Sequence, residues 1–135
     1  MKKKRGKART VITYKRSNDN TYDDVYKIPN KDSLINSIQW CKYFSYLDCK
    51  SGFWQIRLEK DSKPWTTFSC PCGLYEWNVM SFGLKNAPQI FQRMMDNIFG
   101  KYSFVLVYIN DILVLFWHIL QEHIKHLEFI FEKTN

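Results

Sequence analysis

The sequence contains no internal repeat, no low-complexity tract and no segment with a linker's composition. That excludes a solenoid or a fibrous array, and 135 residues fit one domain or one part of a larger one. Cysteine is sparse and badly spaced for zinc. Of Cys41, Cys49, Cys70 and Cys72, only the last two are close, with a single residue between them. Structural zinc sites use two pairs at wider spacing, and His123 and His126, which share a helix face, have no cysteine nearby. The four are read as free thiols of a reducing compartment. The basic start is not followed by an apolar run, so no signal peptide is expected. The longest apolar stretch, 104–120, carries Asn110 and Asp111 in its middle. A carboxylate at a bilayer centre costs about 2.5–3.5 kcal/mol. Two buried strands joined by a polar turn explain the stretch better than a membrane span, and an intracellular chain is expected.

Acidic residues are outnumbered, 13 against 20 Lys and Arg, for a formal charge of +7. That balance suits a polyanionic partner such as nucleic acid. Lys2, Lys3, Lys4, Arg5, Lys7 and Arg9 crowd the start, where they can be a nuclear address, a phosphate-binding patch or a solvated end. Hydrophobic residues reach 45% and aromatics 17%, enough to build a core.

Hydrophobic spacing predicts the elements. Val11 to Tyr14 reads as a short strand and Asn18-Asp19-Asn20 as a turn. A short helix is expected after Ile28-Pro29, capped by Asn30 or Asp32, with Leu34, Ile35 and Ile38 on one face. Tyr43 to Leu47 is strand-like and delivers Asp48 at its end. Phe53 to Leu58 alternates like a half-buried strand, and Trp65–Ser69 and Leu74–Met80 read as further strands around a turn at Pro71-Cys72-Gly73. The clearest helix follows Asn86, with Ala87, Ile90, Phe91, Met94, Met95 and Ile98 as its stripe, Pro88 in its first turn and Gly100 at its end. Phe104–Tyr108 and Ile112–Phe116, separated by Ile109-Asn110-Asp111, predict a hairpin. A last helix over about 119–133 is expected to bury Leu120, Ile124, Leu127 and Phe131.

Phosphoryl transfer onto a nucleic-acid end uses two divalent ions about 3.5–4 Å apart, held by carboxylates that converge from separate strands. Asp48 at a strand end and Asp111 at a hairpin tip provide such a pair if their strands are neighbours.

The surrounding motifs are more specific. Leu47-Asp48-Cys49-Lys50-Ser51-Gly52-Phe53 resembles the first palm motif of reverse transcriptases. The segment Ser81-Phe82-Gly83-Leu84-Lys85-Asn86-Ala87-Pro88-Gln89-Ile90-Phe91-Gln92-Arg93 resembles their central motif, and Val107-Tyr108-Ile109-Asn110-Asp111-Ile112-Leu113 their Y-x-D-D hairpin. The three follow the family's order and spacing. Val11 to Asn18, preceded by Arg9, resembles a fingers strand. The wording is nearest to plant pararetroviruses of the caulimovirus and badnavirus group, then to gypsy-type retrotransposons.

The resemblance implies an α+β fold: a polymerase palm with an antiparallel, ferredoxin-like sheet backed by helices, plus partial fingers. Residues 1–30 and about 54–80 would be fingers-like and the remainder palm, with thumb and ribonuclease H regions absent. It implies RNA-directed DNA polymerisation by two-metal nucleotidyl transfer, with Mg2+ as cofactor and an RNA/DNA primer-template and deoxynucleoside triphosphates as partners. By the same resemblance Asp48 and Asp111 bind metal. Phe53 stacks under the nucleotide sugar. Arg9 grips the incoming triphosphate, and Phe82, Gly83 and Lys85 belong to the nucleotide site. Gln92 and Arg93 face the template.

Asn110 departs from the pattern, standing where the family has a second metal-binding aspartate. An amide is neutral and offers one acceptor oxygen. Ser81 replaces a proline, Phe116-Trp117-His118 replaces small polar residues, and Ser17 replaces a leucine. Catalysis by this copy is therefore expected to be absent or very weak. The alternatives are a non-catalytic nucleic-acid-binding remnant and a decayed copy without a molecular role.

Overall fold

The structure, a computed structural model, describes residues 12–117 and 119–134. The chain divides into two compact units, Met1–Tyr22 with Phe53–Ala87, and Asp23–Gly52 with Pro88–Asn135.

In the first unit, Ile12–Tyr14 is not a strand, and the helix α1 (Lys15–Asp19) follows it directly. Val11 lies outside the described residues. Tyr14 is buried and donates its hydroxyl to the carbonyl of Thr66 at 3.2 Å. The expected strand from Phe53 to Leu58 is instead a 3-10 turn, Gly52–Gln55, followed by an isolated bridge from Arg57 to Val79. Ring packing overrides the alternation here. Phe53 lies against Phe82, with centroids 5.2 Å apart, and Trp54 stacks on Trp77 at 6.1 Å, so successive side chains share one aromatic cluster. A second 3-10 segment, Lys60–Thr66, takes up Trp65 and Thr66, which shortens the expected strand there. The hairpin around Pro71-Cys72 pairs β2 (Phe68–Cys70) with β3 (Gly73–Tyr75), both shorter than the expected strands.

The second unit is built on a three-stranded antiparallel sheet. Its strands are β1 (Tyr43–Asp48), β4 (Val105–Tyr108) and β5 (Asp111–Phe116), in the order β1-β5-β4. Ahead of β1, Asn30 caps α2 (Lys31–Ile38) by accepting from the Asp32 amide at 3.0 Å. One sheet face buries Val105, Val107, Ile112, Val114 and Phe116. The helix α4 (Leu120–Thr134) packs on β5 and β1, and α3 (Ala87–Phe99) reaches Val107 through Gln92. The fold is α+β, an antiparallel sheet backed by helices.

Both helices depart in part from their expected faces. On α3 the buried row is Ala87, Phe91, Gln92, Met95 and Phe99, so Ala87, Phe91 and Met95 lie as expected, while Ile90 and Ile98 are exposed. On α4 it is His123 and Ile130, with Leu127 half-buried, while Leu120, Ile124 and Phe131 are exposed. Specific partners decide this rotation. His123 Nε2 meets Ser45 Oγ at 2.7 Å, and the His126 ring stacks on Phe104 at 3.8 Å. All four cysteines are free thiols. Among the described residues no helix is long and apolar enough to cross a membrane.

Candidate active site

β1 and β5 are neighbours, and their register sets Asp48 opposite Asp111. Directly opposed residues of an antiparallel pair share a face, with Cβ atoms about 4.5–5.5 Å apart, so the two carboxylates project side by side. The hairpin is one residue tighter than its spacing suggested. Asp111 already pairs with Tyr108, leaving Ile109 and Asn110 as a two-residue turn. Ile109 has φ +53° and Asn110 does not share that sign, the type II′ pattern that usually takes glycine first. A β-branched residue in that region is strained.

The Asn110 backbone carbonyl accepts from the Cys49 amide at 2.9 Å, tying the turn to the end of β1. Asn110 is half-buried, and its side-chain Oδ1 is buried and unpartnered. A Cβ built on Gly52 would lie 2.5 Å from that oxygen, so glycine at 52 is what gives the amide room. The residue that departs from the expected aspartate is thus packed against the loop after β1.

Tyr46 was not singled out from sequence, although period two along β1 places it on the Asp48 face. Its hydroxyl donates to Asp111 Oδ1 at 2.6 Å. That bond to the carboxylate pushes the Tyr46 pKa up to about 12, with burial and the Asp111 and Asp48 charges adding to it. Beside them α2 presents Leu34, Ile35 and Ile38, forming a shallow groove with Tyr46, Tyr108 and Leu113 that reaches Asp111.

Gln92 and Arg93, expected to face the template, both have partners within the fold. Gln92 is fully buried, accepts from the Ile109 amide at 2.7 Å and donates to the Val107 carbonyl at 3.2 Å. It braces the hairpin from below. Arg93 donates to both Asp24 oxygens, at 2.7 and 2.8 Å, and its guanidinium lies 4.8 Å from the Tyr26 ring centre.

The remaining expected nucleotide-site residues that are described belong to the first unit. Phe53 is only 9% exposed, closed against Phe82. Gly83 has φ +96°, a conformation that favours glycine. Asn18 holds this loop by donating to the Gly83 carbonyl at 2.8 Å and accepting from the Lys85 amide at 2.9 Å. Lys85 Nζ donates to the Thr21 carbonyl at 3.2 Å. Arg9 lies outside the described residues.

Two carboxylates and a nearby amide suit one hard divalent cation better than two. No cluster of three or more His, Cys, Asp or Glu able to hold a metal occurs among the described residues.

An antiparallel sheet that raises paired aspartates at a hairpin tip, backed by helices, defines the palm of a nucleotide polymerase. The family model for reverse transcriptase (RNA-dependent DNA polymerase) matches residues 1–135, and the chain belongs to that family. It is 51% identical over 134 residues to the enzymatic polyprotein of Cauliflower mosaic virus (strain Strasbourg), covering 98% of this chain and 20% of the relative. Polyprotein P3 of Commelina yellow mottle virus is 50% identical over 127 residues, covering 93% and 7%. The foamy viral protease-reverse transcriptase in complex with double-stranded DNA superposes with a TM-score of 0.86 at 25% identity, over 93% of this chain and 22% of that one. Another structure of the foamy viral protein holds an RNA/DNA hybrid, with a TM-score of 0.83. The chain spans about a fifth of the length of the Cauliflower mosaic virus relative. Its likeness to caulimovirus sequences agrees with what the motifs implied.

Proposed function

We propose that this chain is the palm and part of the fingers of an RNA-directed DNA polymerase whose catalytic centre is reduced, so that nucleotide incorporation is absent or very weak. The second unit serves as palm and the first as fingers. The observation that carries the reading is the pairing of Asp48 with Asp111 beside a neutral Asn110 whose Oδ1 is buried without a partner.

Mg2+, when bound, supplies Lewis-acid stabilisation of the charge that develops in phosphoryl transfer. Asp48 and Asp111 are the residues that would hold it. The Tyr46 hydroxyl orients Asp111, and Gln92 fixes the turn that carries Asn110. Asn110 adds no charge. A carboxylate in its place would attract a divalent ion with of order 4 kcal/mol per unit charge at about 4 Å in a wet site. Losing that from the transition state slows chemistry by roughly a thousandfold. On this reading the partners are a primer-template and deoxynucleoside triphosphates, with Phe53, Phe82, Gly83 and Lys85 toward the nucleotide. Arg9, by resemblance, joins them. Arg93 reaches a template only by leaving Asp24.

The test is magnesium-dependent primer extension on an RNA template, with this segment grafted into a complete related polymerase in its Asn110 and Asn110→Asp forms. The Asp form is expected to extend roughly a thousandfold faster. Equal rates would sink the reading of the hairpin. The formal charge of +7 favours a second reading, nucleic-acid binding without catalysis. It calls for salt-dependent binding with no incorporation, and absence of binding at low salt counts against it.

A further inference from the structure

A run of polar contacts joins the catalytic hairpin to the segment that precedes α2, and none of the chemistry above uses its outer members. Asp24 Oδ1 accepts from the Tyr26 amide at 2.9 Å and from Arg93 at 2.7 Å. Arg93 covers the Tyr26 ring, so the tyrosine is held by its backbone and by its face. The Tyr26 hydroxyl donates to Asp96 Oδ2 at 2.8 Å. The other oxygen of Asp96 accepts from Gln92 Nε2 at 2.9 Å, and Gln92 in turn holds Ile109 and Val107.

An amide side chain has two ends of similar shape and opposite function. Only one orientation of Gln92 works here. Rotated by half a turn, its NH2 group would face the Ile109 N–H, donor against donor. Its oxygen would face the Asp96 carboxylate and the Val107 carbonyl, acceptor against acceptors. Gln92 has no solvent exposure, so water cannot repair those contacts. The Asp96 carboxylate accepts and cannot donate, so it selects the orientation in which Oε1 receives the Ile109 amide. That amide belongs to the residue held at φ +53°.

We propose that Tyr26 and Asp96 are positioning residues: they orient the Gln92 amide and so hold the strained Ile109 turn from which Asp111 departs. The functional weight of this proposal rests on the polymerase reading, whereas its test does not. Backbone amide exchange, followed by NMR on the 135-residue chain, reads the Ile109 hydrogen bond directly. Tyr26→Phe is expected to speed exchange at Ile109 about tenfold, and Asp96→Leu to speed it further. Asp96→Asn, which can still accept from Gln92, is expected to restore most of the protection. The Leu115 amide, bonded to the Phe104 carbonyl at 2.7 Å, serves as the control and is expected to keep its rate. A merely structural contribution would speed both amides together. That result, or an unchanged Ile109 in Tyr26→Phe, overturns the proposal. Tyr26→Phe removes a single oxygen atom, so the test stands on it alone if Asp96→Leu does not fold. Equal extension by the Asn110 and Asn110→Asp grafts would refute the catalytic reading and leave these exchange rates as they are.

Discussion

Along β1, Ser45 and Leu47 turn toward the helices, while Phe44, Tyr46 and Asp48 turn toward solvent. The two faces of this sheet answer to different physics. The helix-covered face is a row of apolar side chains with Ser45 and His123 paired inside it. The other face carries both aspartates, a tyrosine bonded to one of them, and exposed aromatics. A change on the first face acts on folding. A change at the exposed positions of the second acts on charge and leaves the core alone, although Leu115 on that face is itself buried, so an amide at position 110 is compatible with the fold.

The comparison breaks most visibly with one acidic substitution on each face. Val114→Asp buries an unpaired carboxylate at a site with no exposure, and is expected to cost more than about 4 kcal/mol in a denaturant titration. Phe44→Asp, at a position 56% exposed, is expected to stay within about 1 kcal/mol. Similar losses from the two would show that the faces are not distinct.

Gly52→Ala comes next, because its methyl group would meet Asn110 Oδ1. A loss of about 1–3 kcal/mol is expected, and Asn110→Gly in the same chain should recover much of it. Additive losses would show that the two residues do not touch.

Smaller effects follow pH. The Tyr46 phenol, pushed up to about 12, holds its proton more tightly folded than unfolded. Its contribution is complete below the unfolded value of 10.0 and disappears as pH rises through about 12. Ultraviolet titration of phenolate should therefore show one late tyrosine, which moves back toward the ordinary range in Asp111→Ala. On the helix-covered face burial lowers the His126 pKa, with His123 nearby adding to it and Glu122 and the Leu115 backbone opposing it. The unfolded chain takes up the proton more readily, so that contribution is present above 6.5 and is lost as pH falls through the depressed folded value. His126→Gln should flatten the mildly acidic limb of a thermal stability profile.

Much of this was legible in the residues. The helix after Asn86, the strand ending at Asp48 and the hairpin before Asp111 lie close to where apolar spacing put them. The first unit was read poorly, because alternation between Phe53 and Leu58 mimics a strand while the rings pack as one cluster. Gln92 and Arg93 look solvent-facing as letters. The burial of Gln92 and the pairing of both depend on Asp96, Asp24 and the hairpin backbone, which come together only in the fold.

The sequence by itself determined the family, the order of the motifs, and that an amide stands at position 110. These are properties of local chemistry and of spacing along the chain. Tertiary structure decided which side of α4 is buried, since its apolar residues are spread widely enough to permit two faces and His123 and His126 found partners on one. It also decided that Asp48 stands opposite Asp111 with Tyr46 bonded to the latter, because strand register is set by pairing across space and not by spacing in sequence.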